Sequence, residues 1–175
     1  MGATHFTPDT ERLLTSAEAF CASRGLRLTE QRRQVLGLIL DSPRPSGAYD
    51  LLDRLRIDGK PAAPPTVYRA LEFLTAQGLV HKIERLSAFV GCAHMLQSEG
   101  PCGHGHAHAH GVEAIQFLIC THCRRVFEIT DDRIRTAIDA AAKATGFRPA
   151  GATVEIEGIC AECAAAPAPA QTHVA

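Results

Sequence analysis

Two cysteine pairs, Cys120-x2-Cys123 and Cys160-x2-Cys163, stand 36 residues apart in a chain of 175 residues. Nothing else in the sequence restricts the fold as tightly. Each pair can grip one ion from a tight turn, and four thiolates complete a tetrahedral zinc shell with Zn–S distances of about 2.3 Å. A redox Cys-x-x-Cys is the competing reading. Two such pairs, each ending a strand of one small unit, favour structural zinc instead. Four sulfurs leave no open coordination position, so this site is expected to hold structure rather than to catalyse. The surrounding strands AIQFLIC, RRVFEI and ATVEIEGIC, with a helix expected over about Asp131–Thr145, make a unit of about 50 residues. A unit of that size buries little core alone and needs a metal staple, a partner chain or both.

The chain before these pairs reads as helices. Leu13, Leu14, Ala17, Phe20 and Cys21 recur at helical spacing, with Gly25 as a stop. Thr29 can cap a second helix whose stripe is Val35, Leu36, Ile39 and Leu40. Pro43, Pro45 and Gly47 break the chain, and a third helix follows over roughly Ala48–Arg56. The run DGKPAAPP is a connector, and Pro64 or Pro65 can open a fourth helix because proline is tolerated in a first turn. Val67, Ala70, Leu71 and Leu74 form its apolar stripe, Tyr68, Arg69 and Glu72 lie nearer solvent, and Gly78 ends it. LVHKIE and SAFVGC then read as a short hairpin. Helices followed directly by a hairpin point to a winged helix-turn-helix, with the fourth helix placed to enter a DNA major groove. The fold class is therefore α+β.

Composition sharpens the picture at one place. Seven Cys and nine His occur, and 13 of these 16 lie between His81 and Cys163. Clustered Cys and His in a reducing compartment bind metal more often than they pair as disulfides. His81, Cys92, the tract GHGHAHAHG and Glu128 make a second, mixed S/N/O set suited to a regulatory Zn(II) site, because it joins distant elements. Taken singly, His81 reads as an exposed strand histidine and Cys92 as a small buried apolar residue. His104, His106, His108 and His110 alternate in a Gly/Ala background that binds metal weakly. The net charge is −1, so a strongly basic nucleic-acid binder is not indicated. No stretch is apolar enough to span a membrane and no signal-like start is present, so the expected address is cytoplasmic.

The run PPTVYRALEFLTAQGLVHKIE, then AFVGC, a His-bearing loop, QFLICTHCRRVFE and GICAEC resembles the ferric uptake regulator family, and within it the zinc uptake regulator branch. The resemblance runs from about Leu13 to Cys163. It implies a winged-helix DNA-binding domain over 1–91, with a hinge from about 87, and a dimerisation and metal-binding domain over 92–163 with a His-rich loop at 94–111. Residues 164–175 are expected to be a disordered tail. It further implies a homodimer, not an enzyme, that binds a double-stranded palindromic operator when zinc-loaded and represses zinc-uptake genes. Cys120, Cys123, Cys160 and Cys163 match the family's structural zinc ligands, and His81, Cys92 and Glu128 match three ligands of the branch's sensing site. The fourth is normally a His shortly before QFLIC. Here the spacing is lengthened by VEAI, which makes His110 the nearest candidate, with His108 or His94 as substitutes. Tyr68 and Arg69 match the recognition-helix pair that touches DNA in relatives. A thiolate at Cys92 favours Zn(II) over the harder Fe(II). The rival expectations are an iron- or peroxide-responsive sensor of the same family and a zinc-handling protein that binds no DNA.

Overall fold

A computed structural model describes residues 6–57, 63–92 and 114–165. They fall in two compact units, Met1–Gly111 and Val112–Ala175. Within the first unit, α1 (Pro8–Ser23) starts at Thr7, whose hydroxyl accepts the Thr10 N–H, with proline in the first turn. Thr10, Leu14, Ala17 and Cys21 are its buried positions, the four-three-four spacing of one helix face. The second helix, α2 (Glu30–Leu40), begins after Thr29, which holds the cap position without a side-chain cap hydrogen bond. Two more helices follow, α3 (Ala48–Ile57) and α4 (Pro64–Ala76). The expected α4 stripe, Val67, Ala70, Leu71 and Leu74, is buried. Each fully buried Leu or Val on it contributes about 1.5–3 kcal/mol relative to exposure. The chain leaves α4 through Gly78 at φ +67°, the left-handed conformation that only glycine adopts cheaply.

The helices rest on a small sheet. β2 (Val80–Ile83) and β3 (Ala88–Gly91) pair antiparallel around a 3₁₀ turn at Glu84–Leu86, and Lys82 faces Phe89 across the ladder. A third strand was missing from the sequence reading: β1 (Ser46–Gly47) pairs with β3, giving the order β1-β3-β2. At two residues it has no periodicity to detect, and it falls where Pro43, Pro45 and Gly47 signal only a break. Gly91 lets this sheet approach α2, since a Cβ there would sit 2.5 Å from Leu40 Cδ2.

The second unit is a three-stranded sheet with β4 (Ala114–Cys120) at its centre. β5 (Val126–Ile129) runs antiparallel to it and β6 (Ala152–Gly158) parallel. α5 (Asp132–Ala144) makes the crossover, capped by Asp131, and a short α6 (Ala161–Ala165) follows β6. Phe127, Leu118 and Ile156 stand in register across the three strands, and all three are exposed. Phe117, in the alternate row, is buried with Gln116, Ile119 and Cys120. No residue of α5 is buried among the described residues. Among the same residues, no helix is long and apolar enough to cross a membrane.

Candidate metal centres

The two cysteine pairs meet because β4 and β6 are parallel neighbours. Cys120 ends β4 in register with Gly158 on β6, and the Thr121 N–H donates to the Gly158 carbonyl at 2.8 Å, so Cys160 arrives beside the Cys120–Cys123 turn. Arg124 closes that turn at φ +63°. Its N–H donates to the Cys120 carbonyl at 3.0 Å, while the Cys120 N–H donates to the Arg125 carbonyl at 2.9 Å. The four sulfurs of Cys120, Cys123, Cys160 and Cys163 all lie within 4.8 Å of one another. Cys123 Sγ and Cys160 Sγ are 3.8 Å apart. Four ligands arranged tetrahedrally at about 2.3 Å from one ion are separated pairwise by about 3.8 Å. The donor set and its spacing therefore fit a tetrathiolate zinc site.

Electrostatics favour thiolate on one side of this corner and oppose it on the other. Backbone N–H donors from Cys160, Cys123 and His122 hold the Cys120 thiol down to about 5, against burial. The Arg125 side chain and its N–H lower Cys123. Cys163 is pushed up to about 12 by its hydrogen bond to Cys160, by burial and by the neighbouring sulfurs. Crowded thiolates repel, so the last proton leaves only when a cation compensates the charge.

Arg125 is the residue that sequence reasoning passed over. Its Nε–H donates to Cys123 Sγ at 3.4 Å, and its guanidinium is forked onto Glu162, with Nη1 at 2.9 Å from Oε1 and Nη2 on Oε2. Position two after Cys123 was the signal available. The partner that gives it meaning, Glu162, lies 37 residues further on.

A second group of donors sits in the first unit. His81 is on β2, opposite Val90 of β3. Cys92 lies one residue past β3, and its N–H donates to the Leu79 carbonyl at 3.2 Å. Their ligand atoms are within 4.8 Å of each other. The expectation of an exposed strand histidine fails: His81 is 6% exposed, and Cys92 is wholly buried as read. A buried imidazole beside a buried sulfur is what a ligand pair requires, since buried polar groups need partners. Glu128 is half-buried on β5 of the second unit, opposite Phe117. His94, Cys102, His104, His106, His108 and His110 lie outside the described residues.

Tyr68 and Arg69 occupy the exposed side of α4, Tyr68 at 49% exposure. The buried stripe of the same helix fixes the direction in which they project. Arg69 makes no hydrogen bond or ion pair among the described residues, so its guanidinium is available to a ligand.

Comparison with known proteins agrees with these features. Residues 23–157 match the ferric uptake regulator family. The zinc uptake regulation protein of Escherichia coli (strain K12) is 37% identical over 154 residues, covering 88% of this chain and 82% of that protein. The crystal structure of holo XcZur superposes with a TM-score of 0.73 at 42% identity, covering 89% of this chain and 99% of that one. A zinc uptake regulator complexed with zinc and DNA superposes with a TM-score of 0.76 at 37% identity, covering 89% and 95%. With a family match spanning most of the chain and a relative above 30% identity, the chain belongs to the ferric uptake regulator family.

Proposed function

We propose that this protein is a zinc-responsive transcriptional repressor, acting in the cytoplasm as a homodimer on double-stranded operator DNA and shutting off zinc-uptake genes, with no enzymatic activity. One observation carries the reading. The buried donors His81 and Cys92 follow 12 and 23 residues after Arg69 of the exposed Tyr68–Arg69 face of α4, in the same compact unit. Metal occupancy at the base of the wing and DNA contact by the helix therefore act on one small body. Relatives named as zinc uptake regulators, one of them complexed with zinc and DNA, support it.

Cys120, Cys123, Cys160 and Cys163 would hold one zinc ion permanently. His81 and Cys92 would bind a second in concert with Glu128 and a loop histidine, for which His110 is our choice. Zinc supplies these sites with positive charge and a fixed tetrahedral geometry. The chain supplies the rest: His81 and Cys92 tie the wing to the metal, and the four cysteines close the second unit. Its uncovered Phe127–Leu118–Ile156 row suits pairing with a second copy. Two copies related by a two-fold axis would place two α4 helices in successive major grooves and select a pseudo-palindromic site. A coupling of about 1–3 kcal/mol between metal and DNA would suffice for a 5–150-fold switch.

Titrating reduced protein with zinc, iron and manganese against DNA from its own promoter region tests this, with metal content measured in parallel. Tight binding with zinc alone is expected. Tight binding with iron would move the protein to the iron-sensing side of the family. Zinc uptake without DNA binding would make it a zinc-handling protein.

A further inference from the structure

We infer that Arg125, held by Glu162, is a positioning residue that neutralises the four-cysteine corner from outside and slows the loss of its metal. The inference rests on the zinc reading of those cysteines. Four thiolates around Zn(II) carry a net charge of −2. Partners outside the ligand shell commonly hold such a site, and their removal costs about 10–100-fold in metal affinity.

Four partners fix the geometry. Arg125 Nε–H points at Cys123 Sγ from 3.4 Å, and Nη2 lies 3.9 Å from Cys160 Sγ. The outer edge of the guanidinium is forked onto both Glu162 oxygens. The ring of Phe127 lies 5.8 Å from the guanidinium carbon. One cation therefore spans a cysteine from each pair, and its own carboxylate partner comes from the turn between Cys160 and Cys163. The planar fork is necessary: a Lys ammonium could sit near one sulfur but could not also hold Glu162 bidentately. The Arg125–Glu162 bridge also ties β5's entry to α6 independently of the ion, so it pre-sets the distance between the two pairs.

The test follows zinc release from full-length protein, stripped of loosely held metal by brief chelator dialysis, into excess chromophoric chelator. Arg125→Gln, Arg125→Lys and Glu162→Gln are compared with wild type, each first shown folded by circular dichroism. Release from Arg125→Gln should be at least about tenfold faster. Arg125→Lys should fall between it and wild type, and Glu162→Gln should also be faster. The differences should shrink with added salt, because part of the effect is charge on a partly exposed site; a merely structural bridge would be broken equally by Arg125→Gln and Glu162→Gln, so faster release from Arg125→Gln than from Glu162→Gln is the mark of charge at the sulfurs. Equal release rates in wild type and Arg125→Gln would overturn the inference while leaving zinc in place. If Arg125→Gln fails to fold, Glu162→Gln decides: an unchanged rate overturns the inference. Wild-type protein holding no zinc that Cys120→Ser removes would overturn the zinc reading itself, and metal content separates that failure from the first.

Discussion

At the scale of single residues, charge decides most outcomes. Arg69 stands in the first half of α4, where a planar guanidinium can take guanine O6 and N7 together, a contact worth about 1–3 kcal/mol of discrimination. Arg69→Ala should weaken operator binding and relax preference at one symmetric position per half-site, with zinc content unchanged; competition with mutated operators measures it. A uniform loss on all sequences with a shallower salt dependence would assign Arg69 to phosphate instead. His81→Ala and Cys92→Ser should leave the four-cysteine zinc bound but raise the zinc needed for DNA binding, read by titration in a metal buffer. The corner itself should respond to pH in two stages. Metal competes with protons for sulfur. Cys163, raised to about 12, is protonated at neutrality and must lose its proton on loading, so affinity should fall as pH falls. Cys120, held at about 5, joins that competition only below about pH 5, and the fall should steepen there. Chelator competition across that range reads both stages. The cysteines could be seen in the sequence because their spacing is local. The burial of His81 and the role of Arg125 could not, because both depend on chain that returns from elsewhere.

At the scale of elements, the helices were legible and the smallest strand was not. Each buried position of α4 follows from 3.6-residue periodicity, and Gly78 marks its end. β1 forms only because β3 offers an edge. Packing rather than propensity governs one residue of α2. Gly37 in mid-helix costs about 1 kcal/mol against alanine in an isolated helix. A Cβ there would lie 2.4 Å from the Phe6 ring. Gly37→Ala would have to expel that ring, and losing a buried Phe costs about 1.5–3 kcal/mol. The clash should win, lowering the stability of the first unit by about 0.5–2 kcal/mol in a denaturant titration. A gain in stability would show that Phe6 swings away without loss.

At the scale of the whole molecule, the two units differ in what holds them. The first has a continuous core from α1 through β3, with Leu14, Leu36, Leu51, Leu74 and Leu79 fully enclosed. The second buries little apolar surface among its described residues and exposes Leu118, Phe127, Phe147, Ile156 and Ile159. On the function proposed above, it would depend on its zinc corner and on a second copy to cover that surface. Cys120→Ser or Cys160→Ser should unfold the second unit and abolish dimerisation, while the helical signal of the first unit persists. Sedimentation and circular dichroism check both; a stable zinc-free dimer would refute it. The sequence announced this dependence through the unit's small size, but the exposed row appears only once strand order brings Phe127, Leu118 and Ile156 into register.

The parallel pairing of β4 with β6 has a consequence in time. Antiparallel β4 and β5 meet through a turn of a few residues, but β6 can join only after α5 has carried the chain across. Contacts between distant stretches of sequence form slowly, because the loop must close before any pairing rewards it. Cys120 and Cys123, one turn apart, can capture an ion before that closure. If they do, Cys160 and Cys163 would arrive at a metal already waiting, and zinc present during synthesis would shorten the interval in which an unfinished sheet edge lies open to other nascent chains.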